Sequence, residues 1–108
     1  MTSHRKEKLS TLLERLAAEY LERESNRTAL ITITGSFVNE SGRSAHIYYT
    51  VLPEDKEAAV SEFLGRKMSD FVAYIDKHAR IGRMPKIKFT LDLGEKNRQR
   101  IEFLSEND

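Results

Sequence analysis

The stretch Gly82-Arg83-Met84-Pro85-Lys86-Ile87-Lys88-Phe89-Thr90-Leu91-Asp92-Leu93 stops a long helical pattern and opens a strand within four residues. Glycine takes the left-handed conformation that ends helices, and proline lacks the amide proton needed to continue one. From Lys86 onward the apolar residues alternate. Ile87, Phe89, Leu91 and Leu93 point to one side, while Lys88, Thr90 and Asp92 point to the other. A period of two predicts a half-buried strand from about Lys86 to Leu93.

Upstream of that stretch, Val60, Phe63, Leu64, Met68, Phe71, Val72, Ile75 and Ala79 keep helical phase. The pattern starts at Pro53-Glu54-Asp55, where proline and acids suit a helix N-terminus. It runs through Gly65, so the segment reads as one long helix or as two helices meeting at a bend. A glycine inside a helix costs ~1 kcal/mol relative to alanine, which makes Gly65–Ser69 the expected kink.

Earlier still, Ala45, Ile47, Tyr49 and Val51 alternate with His46, Tyr48 and Thr50 in a strand from Ser44 to Leu52. The turn residues Asn39-Glu40-Ser41-Gly42-Arg43 join it to a β-branched run from Thr28 to Val38, with Gly35 as a bulge. The short link predicts an antiparallel hairpin. Leu9, Leu12, Leu13, Leu16, Ala17, Tyr20 and Leu21 mark an amphipathic helix from about Ser3 to Glu24. Beyond Gly94 only Ile101, Phe103 and Leu104 can pack, which suggests a short terminal helix and tail over 94–108.

The element order is thus α-β-β-α-kink-α-β. One sheet face is apolar and the other polar, so helices cover one face of a three-stranded sheet in a two-layer α+β domain. The 108 residues fit a single domain, 1–108, with its core over about 4–93.

The chain has no cysteine, which removes thiol catalysis, disulfides and cysteine-based zinc sites. No apolar run approaches the ~20 residues of a membrane span, and the first residues lack a signal-peptide stretch. The expectation is a cytoplasmic protein with no membrane contact. His4, His46 and His78 fall in different elements without ligand spacing, and no nucleophile elbow, phosphate loop or dinucleotide fingerprint is present. The expectation is no catalytic residue, no metal, no cofactor and no small-molecule substrate. Nothing in the sequence requires a dimer, so a monomer is expected.

The net charge of +1 hides a segregation. From Lys77 to Leu91 the chain carries Lys77, Arg80, Arg83, Lys86 and Lys88 with no acid. Lys77 and Arg80 suit a helix C-terminus, but that leaves Arg83, Lys86 and Lys88 unaccounted for. Edge lysines also guard a strand against aggregation. At the other terminus Arg5 and Lys6, with Lys8, open a helix whose dipole they oppose, as a solvated face or as contacts for an anionic partner. Gly65-Arg66-Lys67-Met68 resembles half of the glycine clamp by which KH domains hold a nucleic-acid backbone. Arg5, Lys6, Arg66, Lys67, Lys77, Arg80, Arg83, Lys86 and Lys88 are therefore the candidate RNA-binding residues. Tyr48, on the outward sheet face, is a further candidate for stacking a base.

The element order is that of a type II KH domain, and the residues resemble the ribosome-binding factor A family from about His4 to Leu104. The landmarks are the opening helix, Ile31-Thr32-Ile33-Thr34, Ala45-His46-Ile47-Tyr48 and, most specifically, Pro85-Lys86-Ile87-Lys88-Phe89-Thr90-Leu91-Asp92. The resemblance implies a non-enzymatic bacterial assembly factor. It would bind the small ribosomal subunit and its ribosomal RNA during late maturation and rRNA processing, with a link to growth in the cold. The chain departs from the family pattern in four places. The usual alanine and glycine of the kink align with Arg66-Lys67-Met68-Ser69, and Ser25-Asn26-Arg27 replaces Asp-Pro-Arg after the first helix. Gly82 stands where an arginine is common, and Lys86 where an acid often follows the proline. Two alternatives stay open: a KH-like module for another RNA, or a protein-interaction domain.

Overall fold

Strand β2 (Ser44–Leu52) is the centre of a three-stranded sheet in the computed structural model, which describes the backbone of residues 2–106 and the side chains of residues 5–101. Strand β1 (Leu30–Val38) pairs with it antiparallel, and β3 (Lys86–Leu91) pairs parallel on its other side. Helices α1 (Thr2–Glu24) and α2 (Glu57–His78) lie against one sheet face, and α3 (Leu93–Glu106) follows β3. A 3₁₀ turn at Glu54–Lys56 leads into α2. The α+β architecture expected from the sequence is present, with the hairpin at its expected place.

The core is built from the alternations read above. Ala45, Ile47, Tyr49 and Val51 of β2 are at most 5% exposed, and they meet Leu13, Leu16, Ala17 and Leu21 of α1 and Val60, Leu64 and Ile75 of α2. Each valine, leucine or isoleucine among them contributes about 1.5–3 kcal/mol when fully buried. Phe71, fully buried, lies 5.2 Å from Tyr20 and 5.4 Å from Phe89 between ring centroids, so one aromatic column ties α1, α2 and β3 together. The Tyr20 hydroxyl donates to Asp70 Oδ2 at 2.6 Å. Burial, followed by that carboxylate, pushes the phenol above its usual range. Lys67 of α2 meets Glu24 at the end of α1, while Asp70 and Phe71 meet Tyr20 and Tyr74 lies near Glu19, so the two helices run antiparallel.

Thr34 is the extra residue of a bulge between the pairs Ile33↔Tyr49 and Gly35↔Tyr48. A bulge reverses the facing of everything beyond it. Ile31 and Ile33 face the helices before it; Ser36 and Val38 do so after it, and Phe37 is turned outward, 55% exposed. Ser36 then reaches α1, with its hydroxyl 2.6 Å from Glu14 Oε2.

Three expected boundaries move. Helix α2 is unbroken through Gly65–Ser69, so the two helices separated by a kink are one. Gly65 sits on its exposed side with open space around it, and Leu64 and Phe71 buried on the same helix offset its entropic cost. That helix also stops at His78 rather than at Gly82, because Ala79 turns extended at φ −151°, ψ 152°. Finally, β3 ends at Leu91. Asp92 Oδ1 accepts the Glu95 amide at 3.0 Å, an N-cap that starts α3 at once and leaves Leu93 63% exposed instead of inward.

Polar pairs dock α3. Lys96 Nζ lies 3.0 and 2.9 Å from the two Glu57 oxygens, and Arg100 grips Glu54 through two bonds of 2.7 Å. Gln99 Nε2 lies 3.5 Å from the Thr50 hydroxyl, and Thr50, on the face away from α1 and α2, is only 3% exposed. Ile101 does not pack, at 65% exposed; Phe103 and Leu104 fall outside the described side chains.

Candidate nucleic-acid interface

Antiparallel packing places the start of α1 beside the segment that leaves α2. The β1–β2 turn closes the same end of the molecule. Asn39 fixes that turn: its side-chain carbonyl accepts the amides of Arg43 at 3.0 Å and Ser44 at 3.1 Å, and Gly42 takes φ +73°. The Lys86 amide donates to the Arg43 carbonyl at 2.8 Å, anchoring the start of β3 to the turn. Pro85, buried, holds the chain just before it.

Between these parts lies an open cleft of about 440 Å³. Arg5, Lys6 and Lys8 line it from α1, and Arg80 and Arg83 from the segment between α2 and β3. Leu9, Leu12, Val38 and Ile81 supply its apolar wall, and Glu40 is the acidic side chain in its lining. Among the described residues, none of the five cations has a carboxylate within ion-pair distance. The first turn of α1 carries no acid either, so the helix dipole adds to the positive field. A concave surface with five cations to one acid attracts a polyanion.

Lys86 and Lys88 continue this basic end onto the outward sheet face, opposite Ser44 and His46 of β2. Lys77 stands exposed in the last turn of α2. Neighbouring His78 stacks on Tyr74 at 4.1 Å and lies 2.9 Å from the Tyr74 carbonyl through Nδ1, contacts that fix the helix end. Arg66 and Lys67 are elsewhere. Eleven residues of helix separate Arg66 from Lys77, about 16 Å. Lys67 is 3.6 Å from Glu24, and Arg66 edges a hollow with Asn26 and Lys56 near the α1–β1 turn. Gly65 instead shares a shallow groove with Met68 on α2 and Lys88 on β3.

Of the residues singled out from sequence, Arg5, Lys6, Arg80 and Arg83 thus share a cleft, Lys77, Lys86 and Lys88 lie outside its lining, and Arg66 and Lys67 stand apart. One member of the cleft was not selected. Lys8 follows Arg5 by three positions and so shares its helix face, a signal the spacing carried.

Residues 5–105 match the model of the ribosome-binding factor A family. The chain is 32% identical over 102 residues to ribosome-binding factor A of Geobacter sulfurreducens, covering 93% of this chain and 82% of that one. The protein of the same name in Thermobifida fusca is 30% identical over 103 residues, covering 93% and 68%. Among solved structures, the crystal structure of ribosome-binding factor A from Thermus thermophilus superposes with a TM-score of 0.69 at 23% identity, over 80% of this chain and 93% of that one. The solution structure of a putative ribosome binding factor A from Thermotoga maritima gives 0.66 at 26% identity, over 82% and 87%. A Thermus thermophilus homology model fitted into the map of a 30S complex gives 0.65 at 22% identity, over 75% and 88%. With an α+β fold shared by these structures and a family match along nearly its whole length, the chain belongs to the ribosome-binding factor A family.

Proposed function

We propose that this protein is a non-enzymatic ribosome-assembly factor that binds the RNA of the small ribosomal subunit late in its maturation, using the basic cleft at the start of α1. The observation that carries the reading is the cleft itself: five cations from two distant parts of the chain, free of ion pairs among the described residues. Family membership supports the ribosomal target, since a similar protein has been fitted into a 30S complex. Phosphate contacts set position and affinity without reading sequence, which suits a factor that recognises the shape of a folded RNA. The protein acts as a monomer in the cytoplasm, and the chemistry of rRNA processing belongs to other proteins.

Cosedimentation with purified small subunits at about 50 and about 200 mM salt tests this. Five phosphate contacts weaken binding on the order of 10²–10³-fold over that range. Replacing Arg5, Arg80 and Arg83 together by glutamate removes cosedimentation at the higher salt. Full binding by that folded variant would show that RNA is held elsewhere.

A further inference from the structure

The sheet face turned away from α1 and α2 carries a group of side chains that the cleft does not use. In one row across the strands, Phe37 of β1, His46 of β2 and Lys88 of β3 are register partners; in the next, Gly35, Tyr48 and Thr90 are. Lys86 follows beside Ser44. Facing positions on neighbouring strands are about 4.8 Å apart, and rows two residues apart are separated by about 6.6 Å. Three aromatic rings and two lysines therefore share one small patch. No strand position on this face is acidic, and the Asp92 carboxylate just past β3 is taken up by the Thr34 hydroxyl at 2.6 Å and the Glu95 amide at 3.0 Å.

The rings are held in place. His46 Nδ1 lies 3.0 Å from the Thr90 hydroxyl, and the His46 and Tyr48 planes are within 17° of parallel, with centroids 6.3 Å apart. Phe37 is 55% exposed, an unusual state for a phenylalanine with a sheet beneath it, and the bulge at Thr34 is what turns it outward. Gly35 is the most telling member. It has no positive φ to require glycine, and a Cβ at that position would meet nothing within 4 Å. It leaves the register partner of Tyr48 on β1 without a side chain.

We infer that this outward face, centred on Tyr48, His46 and Phe37 with Lys86 and Lys88 at its margin, binds an unpaired RNA strand by stacking its bases. The inference rests on the RNA-binding reading above and adds a second surface with a different specificity. The cleft attracts phosphate in any RNA, whereas the sheet face needs bases that are free to splay. Lys86 joins the two, because its amide bonds to the Arg43 carbonyl at the mouth of the basic end. A strand held by phosphate contacts in the cleft passes β3 at Lys86 and lays its bases on the rings.

Fluorescence anisotropy with a labelled ten-nucleotide single strand and a duplex RNA of equal length tests this. Tyr48→Leu weakens the single strand fivefold or more and changes the duplex less than twofold. Gly35→Val, which suits a strand and fills the space beside Tyr48, has the same selective effect should Tyr48→Leu fold poorly. The chain has no tryptophan, so Tyr48→Trp gives a single reporter, quenched by the single strand and not by the duplex. Arg5→Gln, Arg80→Gln and Arg83→Gln together weaken both probes, so failure of the cleft reading is seen separately, as no loss in that variant. Unchanged single-strand affinity in folded Gly35→Val and Tyr48→Leu, or no quenching in Tyr48→Trp, would overturn the inference. Self-association abolished by Tyr48→Leu, without selective loss of single-strand binding, would overturn it in favour of a second copy on this face.

Discussion

Both ends of this molecule carry cations and use them differently. At the end where α3 docks, Lys96 is held by Glu57, Arg100 by Glu54 and Lys67 by Glu24. At the end where α1 begins, Arg5, Lys6, Lys8, Arg80 and Arg83 have no acidic partner among the described residues. Exposed ion pairs contribute at most about 1 kcal/mol each, so the paired end is only modestly steadied by them. Pairing does, however, neutralise its field. The difference shows why a net charge of +1 is a poor guide to partners: the sum cancels, but the cancellation is confined to one end.

The core between the ends gives the largest expected effect. Phe71→Ala removes the middle of the column joining α1, α2 and β3 and destabilises the fold by about 3–5 kcal/mol in urea unfolding. RNA binding and stability fall together in this variant, since the cleft exists only while α1 and the exit of α2 stay in register.

A smaller change separates the ends. Asp92→Ala removes both the N-cap of α3 and the carboxylate bonded by Thr34 at 2.6 Å, costing about 1–2 kcal/mol. Affinity for small subunits stays within about twofold of wild type, because the cleft is distant. The Thr34 hydroxyl, then the Glu95 amide, hold the Asp92 carboxyl below its usual range. A depressed folded-state pKa gives stability that is complete above the unfolded value near 3.9 and lost as pH falls through the folded one. Urea midpoints measured downward from about pH 5 fall more steeply in wild type than in Asp92→Asn. Equal slopes would mean that another carboxylate dominates the acid limb.

The smallest effect has the opposite sign. Gly65→Ala stabilises by about 0.5–1 kcal/mol, because α2 is helical there and the space around Gly65 is open. A loss of stability would mean that the helix needs glycine at a bend.

The fold was largely legible in the sequence because its signals are periodic. Ala45, Ile47, Tyr49 and Val51 alternate into the core, and the α1 stripe from Leu13 to Leu21 is buried as spaced. The missed boundaries have a common cause: local signals were outweighed by partners distant in sequence or by a nearby cap. Gly65 suggested a kink, but burial of Leu64 and Phe71 carries the helix through. Leu93 fitted the strand alternation, but Asp92 caps a helix instead. The candidate site was half legible. Arg80 and Arg83 stood out as an acid-free run, and Arg5 and Lys6 by opposing their helix dipole. That these two groups form one cleft follows from antiparallel packing of α1 and α2, which no local pattern encodes. Arg66 and Lys67 were drawn in by a glycine whose clamp is incomplete, and the structure places them near the opposite end.

Two triple variants of equal charge measure the difference between the ends most directly. One replaces Arg5, Arg80 and Arg83 by glutamine, the other Lys67, Lys96 and Arg100. Each removes three positive charges, so only location differs. Affinity for small subunits is measured across a salt series, with folding checked by thermal melts. The first variant is expected to lose about ten- to a hundredfold in affinity and to reduce the slope of log K against log salt by about 2–3. The second is expected to stay within a few-fold of wild type with its slope nearly unchanged. Equal losses in the two variants, or a larger loss in the second, would contradict the assignment of RNA binding to the end where α1 begins.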